Sequence, residues 1–436
     1  MASLAKELRH HSNRSLLIWL GILLVLLFAG LFSMSQVLLH GLQVTDLSDQ
    51  VPWGLWITVD LSSIALGAGA FSFSAAVYLF RIKPLEPLAR PAVFVGFLGY
   101  TSAMLALAMD IGRPDRFWHP LVYWNVHSVL WEITWCVILY STVLMIEVLP
   151  VVADSRIGHR FPFLKTLGHF AHRLTPILAV AGMGLSLLHQ SSLGATYGVL
   201  SGRAIWFKPS LPVMFIISAV AGGMSLTLLT TMAVSRLRNI TIIAPTTCAR
   251  ITRTIGFITL AYLYIKIWDW AATSYYSHSP STARILDRLQ ATTPYTTTFW
   301  GVEILLGGIV PAIIMLLPGL CKRRGLVMSA RAMVVLGVIV NRWNITLSGL
   351  VAPPEWSPGV LGNIVAVSYF PSLVEIGLAL GIIAYFLLGF TLGARYLSIY
   401  HPLGSGPSHH SEHGAEPAAE PAAEPVELPA APPAAD

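Results

Sequence analysis

The sequence predicts an all-α integral membrane protein of about ten transmembrane helices. Three observations carry this reading. The 436 residues are 55% apolar and only 11% charged, roughly half the charge of an average soluble domain. The apolar residues fall in long runs, each near or above the ~20 residues that a span needs. The basic residues between the runs lie mostly on alternate connections, as the positive-inside bias demands.

In chain order the ten runs are as follows. Ser15–Leu39 follows Lys6, Arg9 and Arg14 and is long enough to span, so it reads as a retained helix and not a cleaved signal. Pro52–Phe80 contains Asp60, and Pro91–Met109 follows Arg90. Trp124–Val151 carries Glu132 and Glu147, and Thr175–Val199 carries His189. Pro212–Val234 stops before Arg236 and Arg238. Thr254–Tyr275 holds Lys266 and Asp269, Thr297–Leu317 holds Glu303, and Val327–Val351 holds Arg342. Pro371–Leu397 holds Glu375. Residues 1–14 form a short N-terminal segment, 15–400 the membrane domain, and 401–436 a Pro/Ala/Glu-rich tail without core-forming residues, expected to be disordered. His409, His410 and His413 of that tail read as solvated and not as metal ligands.

Loop charge orients the chain. The N-terminus, the even-numbered connections and the C-terminal flank together hold 19 of the 27 basic residues, and the other side holds 6. Arg156, Arg160, Lys165 and Arg173 belong to the first set, and Arg113, Arg203, Lys208, Arg284 and Arg288 to the second. Both termini are therefore expected in the cytoplasm of a cell (inner) membrane, and an even helix count agrees. The net charge of +6 is a topology signal here and implies no nucleic-acid partner.

Ionisable residues at membrane depth are costly and default to functional candidates. Asp60, Glu132, His189, Lys266, Asp269, Glu303, Arg342 and Glu375 all fall toward the outer ends of their runs, and Glu147 alone lies in the inner half. At ~1.5 Å per residue, Asp60 and Glu132 sit roughly 12 Å in from the outside. For the C-terminal set a structural reading is preferred, with Arg342 pairing Glu375, and Lys266 pairing Asp269 at i, i+3. For Asp60, Glu132 and His189, which have no partner of opposite charge in their own helices, a polar pocket for a proton-exchanging ligand is preferred. Runs two to five and six to nine share an order of features. The third of each set has an early acid (Glu132, Glu303), and the fourth a cation-capable residue followed by small polar ones (His189, Arg342). That pattern suggests two parallel four-helix bundles with flanking helices.

Electron carriers are constrained as well. Cys136, Cys248 and Cys321 are scattered, and an iron–sulfur cluster takes four thiolates. His127 and His189 are the candidate haem ligands, but they lie at different depths and two haems need twice as many. The sequence therefore predicts neither a cluster nor a haem, so that electrons must come from a partner at the outer face. Quinone chemistry fits such a pocket. It moves two electrons and two protons, and the headgroup needs acids or imidazole able to change protonation state. Glu132 and Glu147 are fifteen residues apart, about 22 Å along a helix and ~60° around it, so both lie on roughly one face.

Several ordered motifs carry a family resemblance. Pro52-Trp-Gly-Leu-Trp-Ile with Asp60, Asp110-Ile-Gly-Arg, and Asn125-Val-His-Ser-Val-Leu-Trp-Glu132 resemble the polysulfide reductase NrfD-type membrane subunits. His189-Gln-Ser-Ser-Leu-Gly, Phe299-Trp-Gly-Val-Glu303, Arg342 and Tyr369-Phe-Pro-Ser-Leu-Val-Glu375 resemble the ten-helix HybB-like branch, tied to quinone-linked [NiFe] hydrogenases. The resemblance spans roughly residues 15–400. It implies a haem-free subunit that binds menaquinone or ubiquinone near the outer face. Electrons would be exchanged with an extracytoplasmic ferredoxin-like iron–sulfur subunit and, through it, with hydrogenase large and small subunits. It implies that Glu132, Asp60 and His189, with His127 and Trp131 beside them, lie at the headgroup, and that Glu147 serves proton movement toward the cytoplasm. The same subunit type in a sulfur-compound reductase or a cytochrome c-linked quinone reductase is one alternative, and a secondary transporter another.

Overall fold

The computed structural model describes residues 2–69, 71–155, 158–203, 205–275, 295–350 and 369–403. The tail beyond residue 403, and Arg156, Arg284 and Arg288, lie outside the described residues. Within them the chain is helical and contains no strand. The helices are α1 (Ala2–His40), α2 (Leu55–Ala68), α3 (Phe71–Tyr78), α4 (Glu86–Asp110), α5 (Val129–Ala153), α6 (Pro162–Gly198), α7 (Leu211–Arg238), α8 (Pro245–Tyr275), α9 (Thr297–Leu316), α10 (Arg324–Ser348) and α11 (Leu373–Tyr396). Nine spans among the described residues are long and apolar enough to cross a membrane, with α2 and α3 forming one of them. The tenth expected segment is α8. Its 31 residues reach roughly 46 Å, but it is not among the nine that combine the length and apolarity of a span. The protein is an all-α integral membrane protein, and large apolar side chains such as Leu17, Val25, Phe28 and Ile177 stand exposed on it, as lipid-facing residues do.

Helix ends differ from the sequence reading in a regular way. α6 begins at Pro162 and α8 at Pro245, well ahead of the apolar runs. Apolarity ends at the bilayer edge, whereas backbone hydrogen bonding continues into the basic flanks. The second run is described as α2, ending at Ala68 with Gly69 after it, and α3 from Phe71; a Cβ at Gly69 would collide with the Ala219 carbonyl oxygen on α7. α9 starts as a π-helix over Thr297–Ile309 and continues as α-helix over Val310–Leu316.

Two four-helix groups result. α2/α3, α4, α5 and α6 pack on one another, as do α7, α8, α9 and α10. α2 and α7, the first helix of each group, touch, and each also packs on the fourth helix of the other group, α10 and α6 respectively. This is the contact pattern of two parallel repeats related by a two-fold along the membrane normal. α1 and α11 pair at the flank, with α11 also packed on α4. Small residues allow the close approaches, since lipid supplies no hydrophobic drive between helices. A methyl added at Gly30 would lie 2.5 Å from the Gly381 Cα, and one at Gly307 2.5 Å from the Gly337 Cα.

Candidate functional site

Each group holds a buried or half-buried carboxylate, and the two environments differ. In the first group, Ser128 caps α5 by accepting from the Trp131 N–H, which sets Glu132 in the first turn, where a helix favours negative charge. Glu132 is half-buried, and its Oε1 accepts from the Ser192 hydroxyl at 2.7 Å. Ser192 stands three residues beyond His189 on α6, so the two share a face. His189 is fully buried, and its Nδ1 lies 2.9 Å from the Tyr100 hydroxyl of α4. The Tyr100 ring meets Tyr140 edge-on at 4.2 Å. Glu132, Cys136 and Tyr140 follow one another at i, i+4 and i+8 along one face of α5. Asp60 on α2 is buried and within electrostatic reach of Tyr100. Four helices thus converge on Tyr100. Asp60 Oδ1 and His189 Nε2 find no hydrogen-bond partner among the described residues.

His127 is exposed just ahead of α5, apart from the buried His189. Trp131 donates its indole N–H to the Pro120 carbonyl at 2.9 Å, and its ring lies tilted against Trp124 at 5.3 Å and edge-on to Trp135 at 6.2 Å. His127 is thus exposed and Trp131 half-buried, both near the start of α5.

In the second group both carboxylate oxygens are engaged. Glu303 is buried and paired with Lys266 at 2.8 Å. It accepts from Tyr262 at 2.9 Å, Asn341 at 2.9 Å and Asn344 at 2.7 Å. This overturns both expected pairings. Lys266 reaches across to α9, where Glu303 is wholly desolvated. Asp269 instead takes Lys208 at 2.9 Å and Ser210 at 3.0 Å. Arg342 does not meet Glu375. It donates to Asn341 at 2.6 Å, Ser218 at 2.9 Å and the Phe215 carbonyl at 3.3 Å, and lies over the Phe215 ring at 3.8 Å. Glu375 is taken up by a capping box with Ser372 and by the Tyr369 hydroxyl at 2.5 Å and the Asp46 N–H at 2.9 Å. These bonds lock the start of α11 to the segment before α2.

Glu147 sits toward the C-terminal end of α5, buried, with neither carboxyl oxygen partnered among the described residues. It is within electrostatic reach of Tyr78. Tyr78 lines a cavity of about 910 Å³ on the basic side of the molecule, together with Arg90, Lys165, His169, His172 and His401.

Sequence reasoning missed Tyr100, Tyr262 and Asn341. A tyrosine within an apolar run was the available signal, because a hydroxyl at membrane depth needs a partner.

The arrangement is that of a multi-helix membrane subunit with an unsaturated acid–imidazole cluster near one face. Residues 43–354 match the family described as Polysulphide reductase, NrfD, and the chain belongs to that family. It is 33% identical over 396 residues to the integral membrane subunit of a menaquinone reductase from Nitratidesulfovibrio vulgaris, covering 88% of this chain and 92% of that one. It is 25% identical to a selenate reductase subunit from Mesobacillus selenatarsenatis, over 85% of this chain and 92% of that one. It is 26% identical to a probable Ni/Fe-hydrogenase 2 b-type cytochrome subunit of Escherichia coli, over 83% and 86%.

Proposed function

We propose that this chain is the quinone-reactive membrane subunit of a respiratory oxidoreductase complex, with the headgroup held among Asp60, Tyr100, Glu132 and His189. The observation that carries the reading is the contrast between the two groups. Glu303 has a hydrogen bond or ion pair at every oxygen, whereas His189 Nε2 and Asp60 Oδ1 are buried and unpartnered. Buried polar atoms are normally bonded, and the exceptions point to a ligand or water. If Tyr100 donates to His189 Nδ1, the proton of the neutral imidazole is on Nε2, where it serves as donor to a carbonyl oxygen. Glu132, half-exposed and hydrogen-bonded to Ser192, is the residue placed to pass protons. Quinone, when bound, supplies the two-electron chemistry, and these side chains bind, orient and exchange protons with it.

The relatives' names support quinone-linked electron transfer. Menaquinone or ubiquinone is the substrate class, and an extracytoplasmic ferredoxin-like iron–sulfur subunit is the electron partner. Exposed Phe117, Trp118, Tyr123 and Trp124 cluster by the rim of the site, where aromatic residues suit a membrane–water boundary or a docked protein. The hydrogenase assembly is supported by the 26% relative and a menaquinone reductase assembly by the 33% one. Mild detergent extraction followed by protein and metal analysis of what stays bound separates them. Nickel in the purified complex supports the hydrogenase, and its absence the other assembly. Glu147, Tyr78 and the 910 Å³ inner cavity form the proposed proton connection to the cytoplasm. The whole reading is tested by quinone-dependent turnover of Glu132→Gln in the intact complex, and full activity there sinks it.

A further inference from the structure

A second cavity lies at the outer end of the second helix group. It has a volume of about 120 Å³ and is lined by Trp206, Trp270, Tyr295, Phe299 and Trp300. Its polar lining is Lys266 and Asn344, with Thr273, Ser348 and the Lys208–Asp269 ion pair. We propose that this cavity is a second quinol-binding site, one that holds the reduced headgroup without reacting with it. The proposal rests on the quinone reading above.

Size and lining point to a flat aromatic ligand. An apolar cavity of roughly 150 Å³ accepts a benzene ring; about 120 Å³ is of the same order and matches one six-membered ring, with any further ring or tail leaving through the opening. Five aromatic side chains offer faces and edges to such a ring. The polar wall specifies its substituents. Asn344 is 7% exposed and gives its amide N–H to Glu303 at 2.7 Å, but its Oδ1 finds no partner among the described residues. That oxygen is an acceptor and takes a hydroxyl donor. Lys266 Nζ has three N–H groups, one of which goes to Glu303 at 2.8 Å, and it lies 5.2 Å from the Phe299 ring centroid. It can therefore donate to a ligand oxygen. An adjacent acceptor and donor at one end of an aromatic slot match a ring hydroxyl, which donates to Asn344 and accepts from Lys266. A quinol has that hydroxyl, and the oxidised quinone lacks the proton that Asn344 needs. An unmet acceptor discriminates strongly between the two.

The same geometry argues against chemistry at this position. The carboxylate behind the wall is fully engaged by Lys266, Tyr262, Asn341 and Asn344. Three of these partners sit on its Oε1 and one on its Oε2, and Glu303 itself is not part of the cavity lining. Repeat symmetry has thus produced a reactive pocket in one group and a holding pocket in the other.

The test uses the intact complex in lipid nanodiscs with menadiol as probe, kept reduced under argon, and counts sites by equilibrium dialysis. Two sites per complex are expected for the unaltered protein. Thr273→Leu fills the cavity from its wall and should leave one site. Asn344→Leu should do the same, while menadione binding is unchanged in both. Glu132→Gln should weaken only the other site. If both cavity variants retain two sites, or if the unaltered protein holds one site that only Glu132→Gln weakens, the second site does not exist and the first-group reading survives. If menadiol and menadione both fail to bind anywhere, both readings fall.

Discussion

The Nδ1 of His189 and the hydroxyl of Tyr100 lie 2.9 Å apart, joining α6 to α4 in the interior of the first helix group. This bond determines which imidazole nitrogen is left for a ligand. Tyr100→Phe removes it while keeping the ring that packs on Tyr140. Quinone-dependent turnover is expected to fall about tenfold, since a bond worth ~1–1.5 kcal/mol is lost. His189→Ala should lose at least about a hundredfold, in the range for a positioned proton-transfer group. Steady-state assays with the thermal midpoint measured in parallel check both. Equal loss of folded protein in the two variants would assign the pair to structure alone.

The Lys266–Glu303 pair predicts a different kind of failure. Lys266→Met leaves a buried carboxylate without its cation, which should cost about 3–5 kcal/mol and appear as a lowered thermal midpoint. Glu303→Gln in the same background removes the charge while keeping hydrogen-bonding capacity, so the double variant should regain much of the loss. A double variant no more stable than Lys266→Met alone would mean that the charge is not what the lysine compensates.

The sequence made the helices and their grouping legible because lipid imposes long apolar runs and the positive-inside bias marks their ends. It also singled out Asp60, Glu132 and His189, since each was an ionisable group with no partner on its own helix. Pairing across helices was not legible. Lys266 and Asp269 sit at i, i+3 and look like partners, yet desolvation at Glu303 draws the ammonium across to α9, and Lys208 reaches Asp269 from the connection before α7. Arg342 and Glu375 matched in depth but belong to different packing units. Tyr100 was passed over because a tyrosine in an apolar run carries no charge to flag it.

Orientation is open to a direct check. A periplasmic reporter fused at Ser201 should be active, and one fused after Leu403 should be active only in its cytoplasmic form. These outcomes follow from the 19-to-6 asymmetry of basic residues. The opposite pattern would move the Glu132 cluster to the cytoplasmic face and remove the basis for an extracytoplasmic electron partner.

Glu147 predicts a separation of binding from turnover. Its carboxyl is buried without a partner among the described residues toward the C-terminal end of α5, fifteen residues beyond Glu132. Glu147→Gln should leave quinone affinity unchanged and slow proton-coupled turnover by about tenfold or more. In proteoliposomes the variant should also show a reduced pH change on the cytoplasmic side. Unchanged turnover with an unchanged pH signal would remove Glu147 and the inner cavity from the proton route.

Glu132 decides between the functional and the structural account of the whole cluster. Its Oε1 accepts from Ser192 at 2.7 Å, and a glutamine carbonyl can accept the same bond. If Glu132 is only a helix-to-helix tie, Glu132→Gln should be nearly silent in activity and stability. Glu132→Leu should then destabilise the protein by about 1–3 kcal/mol, by leaving the Ser192 hydroxyl without its acceptor. If Glu132 passes protons, the glutamine variant fails first in chemistry, because an amide neither takes up nor releases a proton in the working pH range. Turnover should drop by about a hundredfold or more while the thermal midpoint and the bound partner proteins stay as they were. Measuring quinone-dependent activity, thermal midpoint and subunit composition on both variants yields a distinct pattern for each account. Normal turnover in a well-folded Glu132→Gln protein would leave the headgroup without its proton donor at this position. The reacting headgroup would then have to be sought away from Glu132.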